Sequence, residues 1–176
     1  IERGVQWLEN YQKGQLQRLA NAPTKTKPYK TKADNLDALI FMILADAGKG
    51  VKGKHTNQLK MAEYLDRDRT NLSLYGISLA GLGFHKLKMT KRLELSIQNL
   101  EQYLKIDKEN QTAYLDMPVN GYWWYWYGSE FETQASYLKL LAATQPKSEK
   151  AAGLVKFLLN NRKNATYWSS TRDTAY

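Results

Sequence analysis

The chain has no cysteine among its 176 residues. That excludes disulfides, zinc–thiolate sites and thiol nucleophiles within it. It assigns no compartment, because Cys-free domains occur in reducing and oxidising ones alike. Histidine is almost as scarce: His55 and His85 stand far apart and, without cysteine, make a poor metal set. His55 falls in a Lys/Gly loop and His85 near a predicted helix end, where both read as surface or packing residues. Long apolar runs are missing too. The most apolar stretch, Leu36 to Ala47, contains Asp37 and Asp46 and falls short of the roughly 18 residues of a membrane span, so it reads as a buried helix. No Gly-x-x-x-x-Gly-Lys-Ser/Thr, Gly-x-Ser-x-Gly or His-Glu-x-x-His string occurs, and no run alternates as a strand between turn signals.

What is present is helical periodicity and positive charge. The chain is 43% hydrophobic, with a net charge of +9 and a mean hydropathy of -0.61, which fits one core-bearing domain or a piece of one. The charge comes mostly from three stretches, Lys25 to Lys32, Lys49 to Lys60 and Lys86 to Arg92. Gly, Pro and Thr interrupt two of them, so they read first as solvated loops. Acidic surfaces, anionic cell envelopes and nucleic acid are the partner classes such a balance allows.

Leu36, Leu39, Ile40, Ile43, Leu44 and Ala47 fall at i, i+3, i+4, i+7, i+8 and i+11, the stripe of an amphipathic helix. Asp34 is placed to cap its first turn and Gly48 to supply the left-handed residue after its last. Further helices are predicted from about Arg3 to Leu19, Gln58 to Arg67 and Asn71 to Leu87, and along a stripe of Leu93, Ile97, Leu100 and Leu104. Ser129 and Glu132 have capping-box spacing ahead of Ala135, Leu138, Leu141 and Ala142. Ser148 opens a helix after Pro146 with Ala152, Val155, Leu158 and Leu159 inward, and Ser170-x-x-Asp173 begins another. The class is all-α, with seven or eight helices. Ile1 to Val5 already reads as helix and Ser169 to Tyr176 starts an element left unfinished, so the sequence predicts cuts at both ends within a longer polypeptide. The missing signal peptide is then no sign of the cytoplasm.

Several groups invite a chemical reading. Gly76, Gly81 and Gly83, inside a predicted helix, are expected to admit a neighbouring helix or large side chain. Tyr122-Trp123-Trp124-Tyr125-Trp126-Tyr127 can stack on sugar rings or bases, yet its place before a capped helix favours packing. Glu63, Asp66 and Asp68 alternate with Arg67 and Arg69. Paired acids suit a glycosidase, but the interleaved arginines favour ion pairs. The triplets at Asn71, Asn110 and Asn164 match an N-glycan acceptor.

Tyr125-Trp126, Glu132-Thr133-Gln134-Ala135, the run Leu154 to Leu159, Asn161-Arg162 and Trp168 to Thr174 occur in an order that resembles the later part of the thioester-containing domain of the alpha-2-macroglobulin family, particularly its bacterial members. Tyr64 to Gly76 resembles the stretch that family places upstream, and weaker similarity covers most of the chain. The resemblance implies an α/α toroid of alternating inner and outer helices, here an incomplete ring, with residues 1–176 a fragment of one domain. It implies an exported parent (periplasmic, cell-envelope or extracellular) that traps proteases after cleavage of a bait region. The family's chemistry is an internal thioester in a Cys-x-Glu-Gln motif. This chain has no such cysteine, and none precedes the mid-chain pair Glu101-Gln102. The hydroxyl-steering histidine of some members would fall near Tyr29 to Asn35, where none occurs.

The segment is accordingly expected to be a scaffold and not an enzyme. No catalytic, cofactor-binding or metal residue is assigned and no cofactor is expected. Its expected partners are other domains of the same parent and, through the parent, target proteases, with no nucleic acid and no membrane span. A ring lacking members would also favour self-association. The rival readings are an α/α-barrel enzyme acting on polysaccharide and a binding module using the aromatic loop and basic face. Trp126 and Trp168 are expected to be structural.

Overall fold

A computed structural model describes residues 1–50, 56–117, 129–163, 166–168 and 173–174. The protein is all-α: among the described residues there are seven α-helices and one two-stranded hairpin. The helices are α1 (Glu2–Asn21), α2 (Asn35–Asp46), α3 (Thr56–Arg67), α4 (Leu74–Lys86), α5 (Thr90–Glu101), α6 (Glu130–Thr144) and α7 (Glu149–Asn160). The strands β1 (Leu104–Asp107) and β2 (Thr112–Leu115) lie between α5 and α6.

Helix α4 is the axis of the fold. Leu74 to Gly81 are buried without a break, as are Gly83 and Phe84, and α2, α5 and α6 pack around it. A helix apolar on every side has to be enclosed. Its glycines set how closely the neighbours approach. A Cβ at residue 83 would lie 2.5 Å from the Phe41 ring of α2, and one at residue 81 would lie 2.9 Å from Leu140 of α6. Phe41 and Phe84 meet edge to face, with centroids 5.4 Å apart, and join Leu65, Leu79, Leu100, Leu140, Leu141 and Leu154 in one core.

The helix ends obey their local sequence. Asp34 accepts from the N–H groups of Leu36 and Asp37 while Asp37 accepts from that of Asp34, a reciprocal box at the start of α2. Gly48 sits at φ +78° beyond the end of α2. Its N–H bonds the Ala45 carbonyl and that of Lys49 bonds the Leu44 carbonyl, closing the helix. Ser129 and Glu132 form the expected box on α6, and Ser73 and Ser148 cap α4 and α7.

Three expectations are corrected. Leu104 does not continue the α5 stripe: α5 stops at Glu101, and Leu104 opens β1 opposite Leu115. Asp107 closes the hairpin turn, its Oδ1 accepting from the N–H groups of Glu109 and Asn110. On α6, Ala135 and Leu138 are half-buried and Ala142 is exposed. The inner face is instead Glu132, Thr133, Gln134, Ser136 and Tyr137, with Leu140 and Leu141. On α7, Ala151, Gly153 and Leu154 are buried, whereas Ala152, Val155 and Leu159 face outward. That rotation follows from close packing on β2. A Cβ at Gly153 would lie 2.8 Å from the Ala113 nitrogen, and the Phe157 ring stacks on Tyr114 with centroids 5.0 Å apart.

Candidate functional site

The acid–arginine alternation singled out in the sequence lies at the end of α3. There it divides into two roles. Asp68 is buried and accepts both from Arg67 (Nε to Oδ1 2.7 Å, Nη2 to Oδ2 2.6 Å) and from the Ala33 N–H at 2.8 Å. Burial opposes its ionisation, but the Arg67 and Ala33 bonds outweigh it and hold the carboxyl below its ordinary range. Arg67 also donates to the Thr31 carbonyl and lies over the Tyr64 ring, 4.7 Å from its centroid, and Asn71 Nδ2 donates to the Ala33 carbonyl. These bonds fasten the segment before α2 onto the end of α3.

Asp66 lines a small pocket together with Leu65, Leu72, Ala80 and Phe84. Arg69 and Arg92 each reach its carboxylate at 3.4 Å. Glu63 is exposed on the same helix. Asp66 and Asp68 are therefore ion-pair partners.

A second charged cluster guards the entry to α2. Lys30 Nζ lies 2.5 Å from Asp34 Oδ2 and 2.7 Å from Asp37 Oδ2. Burial would depress the lysine, but the two carboxylates outweigh it and raise its pKa. Burial, then the charge of Asp34, raises Asp37, with Lys30 opposing, and burial also raises the nearby Tyr11 hydroxyl. Asp37 Oδ1 is enclosed without a hydrogen-bond partner among the described residues. Sequence reading missed Lys30, which was one lysine in a solvated run. The signal was its spacing, four residues before the capping Asp34.

The third cluster joins α5, α6 and α7. Lys150 bonds Glu101, and Tyr137 is fully buried with its hydroxyl raised by burial and then by the Glu101 charge. Gln134 is enclosed against β2, and Ser129 bonds the buried Asp173, 44 positions along the chain. Trp168 is half-buried and donates from Nε1 to the Leu158 carbonyl at 2.9 Å, pinning the chain after α7. Gln12, Gln58 and the Phe41 carbonyl form a polar relay between α1, α3 and α2 (2.7 and 3.1 Å) that no periodicity indicated.

His85 is exposed on α4. Glu101 and Gln102 lie at the end of α5, and Asn71 lies in a 3-10 turn before α4. His55 and the aromatic run Tyr122 to Tyr127, including Trp126, lie outside the described residues. No group of three or more His, Cys, Asp or Glu suited to a metal occurs among the described residues, and no helix among them is long and apolar enough to cross a membrane.

No family model matches the chain, and neither does any curated protein or solved structure.

Proposed function

We propose that the chain is a scaffold segment of the thioester-containing domain of an alpha-2-macroglobulin-like endopeptidase inhibitor, with its helices part of an α/α toroid. The observation that carries this reading is where the resemblance residues sit. Tyr64 to Gly76 supplies Asp68, Arg67 and Asn71, which tie α3 to the start of α2. Glu132 to Ala135 supplies Gln134, which ties α6 to the hairpin. Trp168 ties the following chain to α7. The stretches that resemble the family are thus the fasteners between elements, the role a shell around a water-sensitive acyl group requires.

In this reading the thioester lies upstream of the chain, and the exported parent tethers or encloses a protease once its bait region is cut. The outward stripe of Ala152, Val155 and Leu159 on α7 is then a contact for other parts of the parent, and in isolation it favours association.

The test uses the full-length parent. Preincubated with trypsin, it should abolish digestion of casein while sparing hydrolysis of a small peptide substrate. If the thioester is present, methylamine should add mass at a glutamine upstream of Ile1 and leave the 176 residues unchanged. Undiminished casein digestion overturns the proposal.

A further inference from the structure

The inner face of α1 is set by Gln12, Gln15, Leu16 and Leu19. On the opposite side, Arg3, Trp7, Asn10, Gly14 and Gln17 follow one another at intervals of four and three residues, a single stripe along the helix. Trp7 is 62% exposed, and Tyr11 stacks beneath its ring at 5.5 Å and 27°. One ring face is therefore supported while the other stays open. Two turns on, Arg18 lies 5.0 Å from the centroid of Tyr29, a ring that is 87% exposed.

Between these two rings stands Gly14. A Cβ there would meet nothing within 4 Å, so packing does not demand glycine, although its presence mid-helix costs about 1 kcal/mol relative to alanine. The half-buried backbone there carries no side chain.

We propose that this face of α1 binds an acidic polysaccharide. Aromatic rings take the C–H faces of sugars, planar amides such as Asn10 and Gln17 bond ring hydroxyls, and guanidiniums pair bidentately with uronate carboxylates. The stripe holds these groups and no carboxylate, and Glu9, on the neighbouring face, is turned to Lys49 at 3.2 Å. A partner helix would need aliphatic anchors, and a lipid surface would need a broad apolar face; apart from Trp7, the stripe has no large apolar side chain. Stacked nucleobases would need adjacent rings, whereas the helix rises about 16 Å from Trp7 to Arg18. This inference is independent of the protease-trap reading.

The test is titration calorimetry of the chain with alginate at physiological salt, with dextran and oligo(dT) as comparators. Alginate should bind, and dextran and oligo(dT) at least tenfold more weakly. Trp7→Ala should lose at least tenfold in alginate affinity with an unchanged melting temperature. Trp7→Phe should recover part of it, and Gln17→Ala, which removes an amide and no charge, should weaken binding. Absence of alginate binding, equal or tighter binding of dextran or oligo(dT), or full alginate affinity in Trp7→Ala with loss only on neutralising Arg3 and Arg18 each overturns the proposal.

Discussion

The side-chain amide of Gln134 bonds both peptide groups of Leu115, Oε1 accepting from the N–H and Nε2 donating to the carbonyl, each at 2.8 Å. A residue of α6 thereby completes the ladder of β2, whose edge would otherwise be buried with two unpaired backbone groups. Gln134→Leu fills similar space but strands both, at about 1 to 3 kcal/mol for each group. Urea unfolding should show a loss of about 2 to 5 kcal/mol. A loss under 1 kcal/mol would show that the hairpin does not depend on α6.

The same residue explains where sequence reading succeeded and where it failed. Asp34, Ser129, Ser148 and Gly48 were legible because a cap is a local bargain between a side chain and its own helix end. The faces of α6 and α7 were not. Periodicity assigns Ala135, Leu138 and Ala142 to the core, yet Thr133 and Ser136 are buried instead. Their hydroxyls bond the Ser129 and Glu132 carbonyls four residues back, so their burial costs little, and Gln134 is satisfied by a strand that local pattern did not announce. The ion pairs of Asp66 and Asp68 are legible because Arg67 and Arg69 alternate with them in sequence. Lys30 was missed because a buried lysine and a solvated one look alike until their partners are in place.

Two substitutions that exchange glycine, one inside α4 and one just beyond its end, should move stability in opposite directions. Gly83→Ala places a methyl group 2.5 Å from the Phe41 ring, and overpacking of that kind costs about 1 to 3 kcal/mol. Lys88, beyond the end of α4, holds φ +58°, a conformation glycine adopts at no steric cost, so Lys88→Gly should stabilise by up to about 1 kcal/mol. Thermal melts of the two variants should fall on either side of the parent chain.

Two aspartates should give opposite pH slopes. The Asp68 pKa is lowered in the folded state, so its stabilisation is complete above the unfolded value near 3.9 and is lost as pH falls through the folded one. The Asp37 pKa is raised, so its contribution is complete below the unfolded value and lost as pH rises through the folded one. Asp68→Asn should therefore lower stability at neutral pH and flatten the decline below about pH 4. Asp37→Asn should steepen that decline by removing a group that takes up a proton on folding. Denaturant midpoints measured across the acid range separate the two, and parallel profiles for both variants would refute the assignment.

Helix α7 is rotated so that Ala151, Gly153 and Leu154 face inward. Sequence periodicity turns Val155 and Leu159 inward, whereas the structure leaves them 42% and 44% exposed and encloses Leu154 completely. The cause is the backbone contact at Gly153, which brings α7 onto Ala113 only in this rotation. Leu154→Ala should then cost about 2 to 5 kcal/mol through the cavity it leaves. Leu159→Lys, at a position where the side chain already meets solvent, should stay within about 0.5 kcal/mol. Gly153→Ala should be costly despite favouring the helix in isolation, because the added methyl meets the Ala113 nitrogen at 2.8 Å and must push the helix off the strand. A severe loss at Leu159 with a mild one at Leu154 would reverse the rotation, and with it the outward apolar stripe on which the contact to the rest of the parent depends.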